Sequence, residues 1–365
     1  MTDVRVGGRL FALAAMVIAS SLWSGPAASA QTKAAPWDKL GERALWNKLV
    51  ELREERTTKR AIKLQQIVKF SEALARRFPE SQFRDDALIM KLGALAGLAG
   101  TDPYYVPELY YATDTISCEL PTGKLASEND YYAIQAFVFA ARLEGMPFEQ
   151  QLQQTKVLYE SFLKEHPYSQ RKPVIMASLV RNYLRLEKTA LAVGLLQDMK
   201  DQLPKHPALH RATGEYNRYR ALNQPFNLVY APEEGDTIQT ADHAGRVLLI
   251  HLWTGYTNSG IQSFNTVAKL YREYTGKPLD VISVNLDRDR TRADTLIKKK
   301  NIPWKQAFDK RGLRAPLLDK YGIYFVPGFF VVDANGILRY LDSGDGLEEK
   351  IAELMTESVK TESKG

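Results

Sequence analysis

The sequence predicts a multi-domain protein in which an α-helical region precedes an α/β domain. Apolar residues recur at three- and four-residue steps from about Trp37 to Leu222, a spacing typical of amphipathic helices. From Asn223 onward, β-type apolar runs alternate with helical ones. The length of 365 residues also suits two domains, since domains cluster at about 100–200 residues.

The charged residues are numerous but nearly balanced. The chain has 49 basic and 43 acidic residues, which give a formal net charge of +6 and are spread along the sequence rather than grouped in blocks. Proteins that bind nucleic acid usually show clustered basic charge. We therefore expect no nucleic-acid partner.

The first thirty residues have the parts of a secretory signal peptide. Arg5 and Arg9 precede the apolar run Leu10–Trp23, and small residues follow at Ala28 and Ala30. We expect cleavage after Ala30, export to the periplasm or another extracytoplasmic space of a bacterium, and no stable membrane span afterwards. The alternative is an uncleaved anchor, although the apolar run is shorter than the roughly 20 residues of a spanning helix.

Prolines divide the helical region, residues 31–222. The motifs "RRFPES", "KEHPYS" and "PKHPAL" place Pro79, Pro167 and Pro207 at helix boundaries, since proline interrupts a helix. Pro167 and Pro207 are 40 residues apart, and Pro79 and Pro167 are 88 apart, close to two such periods. Helix pairs at this period predict an α-solenoid, and these segments resemble degenerate tetratricopeptide-type (TPR-like) repeats of bacterial envelope proteins. The alternative is an irregular helical bundle.

The stretch "TDPYYVPELYYATDTISCELPTGKLASENDYY" interrupts the helical pattern with prolines and predicts a loop with short helical pieces. Its tyrosines could form a binding face, but packing between helices is the stronger expectation. The stretch also holds Cys118, the single cysteine of the chain. Without a basic neighbour in sequence, Cys118 is expected to be an inert thiol. A lone cysteine forms no internal disulfide, so any redox chemistry would be intermolecular.

The rest of the chain follows a β-α-β order that ends in a hairpin and a helix. The strand pair "FNLVY" and "DTIQT" comes first, and the buried strand "VLLIHLW" precedes a helix that ends at Gly276. The strand "LDVISVNL" precedes helices at "RADTLIKKKN" and "LRAPLLDKYG". The strands "GFFVVD" and "ILRYLD" flank a turn at Asn335-Gly336, and a final helix runs from about Leu347 toward Ser358. These limits give a domain at 223–358 and a polar tail at 359–365.

Several landmarks of this region occur together in one known family. They are "GRVLLIHLW", "DVISVNLDRDR" and, above all, "DKYGIYFVPGFFVVDANGIL". With them, Asn223 to about Met355 resembles the thioredoxin-like proteins of the TlpA and ResA type, the redoxin family. The resemblance implies a thioredoxin fold with a cis-proline loop at Val326-Pro327.

The resemblance also locates the expected redox centre, in "HLWTGYTNSG". The family carries Cys-x-x-Cys at the start of the helix after the first core strand, where the helix dipole activates the first thiol. The matching positions here are Thr257 and Gly260, so both sulfurs are absent. The peroxiredoxin pattern Thr-x-x-Cys would fit Thr257 but also places its cysteine at Gly260. No base adjoins Thr257 to make it a nucleophile, and we expect no catalytic residue and no cofactor.

Other positions of the family pattern are also changed. The Glu and Pro that usually follow the second cysteine correspond to Ser263 and Asn265, and the buried acid or amide of the core strand corresponds to His251. We expect His251 to be a core histidine bonded by a backbone partner. The alternative is a new functional group.

The family's peptide-binding features are retained in part. A cis-proline loop offers backbone groups to an extended peptide, and the aromatic turn beside it offers apolar area. The binding candidates are Trp253, Tyr256, Thr257, Val326 and Pro327. The alternative is that these residues persist only because the fold packs around them.

Together these features predict an exported, redox-inactive scaffold that binds a protein or peptide partner in the cell envelope. The alternative is an enzyme, a thiol-disulfide oxidoreductase or peroxide reductase that works through Cys118. No metal site is expected: His206 and His210 are spaced for one helix face, but His206 adjoins Pro207, which favours a capping or loop role over metal ligation.

Overall fold

The computed structural model describes residues 36–55, 59–324, 326–342, 344 and 346–362. The signal peptide expected at residues 1–30 lies outside the described residues. No helix in these ranges is long and apolar enough to cross a membrane. The chain divides into two compact units, one ending at Leu191 and the other beginning at Ala192.

The first unit is helical, as the sequence predicts. Helices end or begin at the expected prolines, with one helix ending at Arg77 before Pro79 and another at Glu165 before Pro167. The repeat assignment stays a prediction. The helices of this unit are α1 (Glu42–Glu54), α2 (Arg60–Arg77), α3 (Arg84–Ala99), α4 (Val106–Cys118), α5 (Gly123–Leu143), α6 (Phe148–Glu165) and α7 (Lys172–Arg185), and α8 (Thr189–Gln202) crosses into the second unit.

The segment predicted as a loop with short helical pieces is mostly two long helices, α4 and α5, so that prediction was wrong. Pro107 lies in the first turn of α4, where a missing N–H breaks no helical hydrogen bond. Its tyrosines divide between two roles. The guanidinium of Arg171 lies 4.4 Å from the ring centroid of the partly buried Tyr131 and 5.3 Å from that of the buried Tyr132, whereas Tyr104 and Tyr111 are exposed.

The second unit is an α/β structure. Its elements are α9 (Pro207–Ala221), β1 (Val229–Tyr230), β2 (Ile238–Gln239), β3 (Val247–Trp253), α10 (Asn258–Glu273), β4 (Leu279–Asn285), α11 (Thr291–Lys299), β5 (Lys305–Phe308), α12 (Pro316–Lys320), β6 (Gly328–Val332), β7 (Leu338–Asp342) and α13 (Leu347–Glu362). Five of the strands form one sheet of order β5-β4-β3-β6-β7. In it, β3 pairs parallel with β4 and antiparallel with β6.

Two details of this unit differ from the sequence prediction. Strand β5 was not predicted, because it has four residues and begins with two polar ones, Lys305 and Gln306. Helix α13 continues to Glu362 rather than ending near Ser358, so the expected tail is partly helical. The predicted β1–β2 pair and the Asn335-Gly336 turn are present, with Gly336 at φ +77°.

The sheet is covered on both faces. Leu248, Ile250 and Leu252 of β3 belong to a core shared with α12 and the β1–β2 pair. Their neighbours Val247, Leu249 and Trp253 belong to a second core shared with α10 and α13. Every residue of β3 is buried, which explains its uninterrupted apolar run.

Helix α9 belongs to the second unit, although its sequence is part of the helical region. Its Gly214 packs against the backbone of Gly322, so closely that a Cβ on Gly214 would lie 2.3 Å from the Gly322 Cα. Asn217 donates to the Lys320 carbonyl at 2.8 Å, and Arg218 donates to the Gly322 carbonyl at 3.1 Å. The compact unit therefore begins before Asn223, where the composition changes.

Candidate functional site

Strand register brings four loop segments to one end of the sheet. β3 and β4 pair up to their last residues, Trp253 with Asn285, and Asn285 pairs with Phe308 at the end of β5. β6 is antiparallel to β3, and its first residue, Gly328, pairs with Leu252. The segments after β3, β4 and β5 therefore meet the segment before β6. We call this the carboxyl edge, formed by residues 254–257, 287–292, 309–314 and 326–327.

Asp287 holds the turn that follows β3. Its buried carboxylate accepts hydrogen bonds from the Thr254 hydroxyl and from the Gly255 N–H, the latter at 2.9 Å. The Asn285 amide donates to the same carboxylate at 3.1 Å. These bonds satisfy a carboxylate that would be costly to bury unpaired, and they fix the backbone from which the next residues project. Sequence reasoning missed Asp287, although it directly follows the strand "LDVISVNL".

Thr257 and Gly260, the two positions at which the resemblance leads one to expect cysteines, have structural roles. The Thr257 side chain caps α10 by accepting the Gly260 N–H at 3.0 Å. Gly260 is buried against the turn, and a Cβ there would lie 2.2 Å from the Thr254 carbonyl oxygen and 2.9 Å from Thr257 Oγ1. No Cβ contact in real structures is that short. The Thr254 carbonyl and the Thr257 side chain therefore occupy the space that a side chain at position 260 would need.

The expected peptide-binding residues divide by exposure. Trp253 is 0% exposed, so the structure corrects its expected role as a binding surface. It packs edge-on against Phe264 with ring centroids 3.9 Å apart. Tyr256 is 56% exposed, Thr257 is exposed, and Val326 and Pro327 are half-buried, with the Val326-Pro327 peptide bond cis.

Arg292 extends the exposed part of this site. Its guanidinium carbon lies 5.3 Å from the centroid of the Tyr256 ring, within cation-π range. Its stem passes over Gly255, where its Cγ would lie 3.5 Å from a Cβ built on the glycine. The Arg292 stem therefore lies beside the turn after β3. Nothing in the sequence pattern singled out Arg292, because α11 lies far along the chain from Tyr256.

His251 lies in the core beneath this site and is 0% exposed. Its Nε2 and the Ser263 Oγ are 2.8 Å apart, and its Nδ1 and the Ser283 Oγ are 3.1 Å apart. The sequence predicted a core histidine correctly, but its partners are side-chain hydroxyls rather than backbone groups. Ser263 and His251, two residues that the sequence resemblance singled out separately, therefore form one hydrogen-bonded pair.

The partners of His251 set its tautomer. The Ser263 hydroxyl donates to the Gly260 carbonyl at 2.7 Å, so it accepts from a protonated Nε2. The Trp304 indole N–H donates to the Ser283 Oγ at 2.8 Å, which leaves the Ser283 hydroxyl proton for Nδ1. A neutral imidazole satisfies the whole chain of hydrogen bonds. These hydrogen bonds link His251 of β3 and Ser283 of β4 to Trp304, which precedes β5, and to the first turn of α10.

Burial lowers the pKa of His251 to about 3, since desolvation disfavours the charged imidazolium. The unfolded chain takes up this proton near the ordinary histidine pKa, whereas the folded chain does not. Stability from neutral His251 is therefore complete above the unfolded pKa and is lost as pH falls. Between pH 7 and pH 5 we expect a loss of about 2 kcal/mol in the free energy of unfolding from this residue.

Hydrogen exchange of the β3 amides at each pH measures that loss within the second unit. The control is His251→Gln, which keeps hydrogen-bonding atoms but does not titrate. All other titrating groups are common to both proteins, so the difference between the two pH curves reports His251. Parallel curves would contradict the prediction.

A second buried carboxylate, Asp309, stabilises the far side of the carboxyl edge. It accepts from the Tyr230 hydroxyl and from Arg311 Nε, the latter at 2.8 Å. Burial acts to raise its pKa, but the hydrogen bonds from Arg311 and Tyr230 outweigh burial and lower the pKa. Asp309 therefore stays ionised and ties the β1–β2 pair to the end of β5.

The remaining candidates lie elsewhere. Cys118 is exposed at the end of α4 in the first unit. His206 caps α9 by accepting the Ala208 N–H at 3.0 Å, the role that its neighbouring proline favoured.

Within the described ranges, His166, Asp130 and Glu165 could together hold a metal ion. His166 Nε2 and Asp130 Oδ2 are already 2.8 Å apart, however, in a direct pair that ties the end of α6 to α5.

The sheet order, the helices on both faces and the cis-proline segment define the second unit as a thioredoxin-like α/β domain. Residues 220–356 match the family model described as Redoxin. The thiol-disulfide oxidoreductase ResA of Halalkalibacterium halodurans is 25% identical over 143 residues, which are 39% of this chain and 79% of that protein. ResA of Oceanobacillus iheyensis is 25% identical over 121 residues, which are 33% of this chain and 62% of that protein.

Solved structures give similar coverage. A thiol-disulfide oxidoreductase from Bacteroides fragilis is 25% identical, and the match covers 36% of this chain and 98% of that chain with a TM-score of 0.32. The thioredoxin domain of a thiol-disulfide oxidoreductase from Bacteroides vulgatus is 18% identical, with 37% and 98% covered and a TM-score of 0.32.

Proposed function

We propose that this chain is an exported, redox-inactive binding protein that engages a protein or peptide partner in the bacterial cell envelope. The observation that carries the proposal is the packing at Gly260. The family resemblance requires a sulfur at this position for disulfide exchange, and a Cβ there would lie 2.2 Å from the Thr254 carbonyl oxygen. The backbone of the preceding turn therefore occupies the place where a side chain at residue 260 would begin.

Residue 257 supports the same conclusion. The Thr257 oxygen accepts the Gly260 N–H and also the Ser259 hydroxyl, at 3.0 and 3.3 Å. A threonine alcohol ionises far less readily than a thiol, and these contacts supply no base to take its proton. Thr257 therefore acts as the N-terminal cap of α10 and not as a nucleophile.

A surface for binding is present beside these two positions. Tyr256 presents a large ring to solvent, and Val326 and Pro327 enter β6 at the same edge. Related folds bind extended peptides through backbone groups and flanking side-chain contacts of this kind. The helical region adds further surface that a scaffold could use.

The proposal predicts that the purified chain does not accelerate the reduction of insulin by dithiothreitol. A dithiol enzyme releases its mixed disulfide with its own second thiol, whereas this chain has one cysteine and its release would depend on dithiothreitol itself. The rate is measured as the growth of turbidity, with a dithiol thioredoxin as the positive control. Acceleration comparable to that control would overturn the redox-inactive assignment.

The alternative function, a thiol-disulfide oxidoreductase or peroxide reductase, would work through Cys118. Its sulfur is exposed, so it can reach a partner molecule. The matched variant Cys118→Ser separates the two functions. Turnover of a mixed disulfide or of peroxide by the wild type that is lost in Cys118→Ser would favour the alternative, whereas identical behaviour of the two proteins supports a binding role.

A further inference from the structure

The carboxyl edge carries more exposed positive than negative charge. Its two buried acids are used within the fold, Asp287 by the turn after β3 and Asp309 by Arg311 and Tyr230. Asp289 accepts the N–H and the hydroxyl of Thr291 at the start of α11. Asp289 is exposed and keeps its negative charge, but it is the one exposed acid of these segments, whose exposed cations are Arg288, Arg290, Arg292, Lys310 and Arg314.

The basic side chains of the same segments are only partly neutralised. Arg290 is paired with Glu234 at 2.6 Å and with Asp294 at 3.0 Å. Arg288, Arg292 and Arg314 are exposed and have no acidic partner among the residues that the structure describes. Unpaired cations near one another raise the local positive potential and attract anionic groups.

Arg292 is the cation best placed for recognition. Its stem lies beside Gly255 and its guanidinium lies over the Tyr256 ring, two contacts that favour this orientation of an exposed arginine. Ordering a side chain in advance reduces the entropy lost on binding. A guanidinium in this position can accept a carboxylate through two parallel N–H bonds, while the aromatic ring contacts apolar atoms beside it.

From this arrangement we infer that the partner segment is acidic. An extended peptide with glutamate or aspartate side chains binds at the carboxyl edge, with one carboxylate on Arg292 and an adjoining side chain on Tyr256. The inference rests on the proposed binding function and names the chemistry of its partner. Charge complementarity selects this occupant over a basic or neutral segment.

The test titrates the full chain with two fluorescent peptides of about ten residues, blocked at both ends. One has glutamate at alternate positions, so that its acidic side chains share one side of an extended strand. The other has glutamine in place of every glutamate. We expect the acidic peptide to bind more tightly, and its affinity to fall as salt is added.

Three variants locate the contact. Arg292→Gln is expected to weaken the acidic peptide about tenfold, the loss of one charge-assisted pair, with little effect on the glutamine peptide. Tyr256→Asp is expected to weaken it further, since it removes the ring and adds a like charge. Arg272→Gln, an exposed arginine in the last turn of α10, is the matched control and should bind as the wild type does.

The outcomes separate this inference from the proposed function. Equal binding of both peptides, unchanged by Arg292→Gln but lost in Tyr256→Asp, would overturn the acidic partner and leave the binding function intact. No binding of either peptide would overturn the acidic partner and the carboxyl edge as its site, and would leave the helical region as the surface on which the proposed binding function rests. Displacement of the acidic peptide by a short single-stranded oligonucleotide at lower concentration would assign the edge to phosphates and would also overturn the inference.

Discussion

Replacing Gly260 with cysteine is expected to lower the free energy of unfolding of the second unit by about 3 kcal/mol, at the upper end for an overpacked core. The new Cβ would lie 2.2 Å from the Thr254 carbonyl oxygen. That carbonyl cannot move freely, because the Thr254 hydroxyl and the Gly255 N–H are both held by Asp287. This clash can therefore be relieved only if the turn after β3 or the first turn of α10 shifts.

The measurement is hydrogen exchange of the β3 amides, which reports opening of the second unit separately from unfolding of the first unit. Gly194→Ala is the matched control. Gly194 lies within α8 with no atom within 4 Å of its added Cβ, so alanine there should stabilise by up to about 1 kcal/mol. A Gly260→Cys protein as stable as the wild type would show that the turn adapts.

The same packing bears on redox activity. A Thr257→Cys/Gly260→Cys protein has the family's two sulfurs but loses the Thr257 cap and strains the turn. We expect this protein to remain far below a dithiol thioredoxin in insulin reduction. Full activity would mean that only the sulfurs are missing from this site, and the structural argument from Gly260 would fail.

Gly214→Ala is expected to lower the free energy of unfolding of the second unit by a similar amount, about 3 kcal/mol. The contact responsible is a different one, between α9 and Gly322. The added Cβ would lie 2.3 Å from the Gly322 Cα and 2.4 Å from the Gly322 nitrogen. Both are backbone atoms, and Gly322 is itself at φ +62°, a conformation that few other residues adopt. The helix must therefore move away from the Lys320–Gly322 segment.

Such movement should also break the bonds that Asn217 and Arg218 donate to carbonyls of that segment. Exchange of the α9 amides, compared with those of β3, shows whether the helix detaches alone or the whole unit is destabilised. Gly194→Ala again serves as the control, with the opposite sign. Unchanged exchange in Gly214→Ala would mean that α9 is not part of the folded unit in solution.

The fold was largely predictable because its signals are local. The buried run Val247–Trp253, the Asn335-Gly336 turn and the proline helix boundaries depend on periodicity and backbone chemistry that neighbouring residues carry. The predictions that failed concerned weak local signals. Strand β5 is short and half polar, and Pro107, the proline of α4, lies in the first turn, where a helix tolerates it.

The absence of a dithiol was also determined by the sequence alone, since the chain has a single cysteine. The sequence could not show that Gly260 lacks room for a side chain, that Trp253 is buried, or that His251 and Ser263 are bonded to each other. Nor could it bring Arg292 to Tyr256. These relations join residues from different strands and helices, and their distances exist only after the sheet has paired and the helices have packed on it.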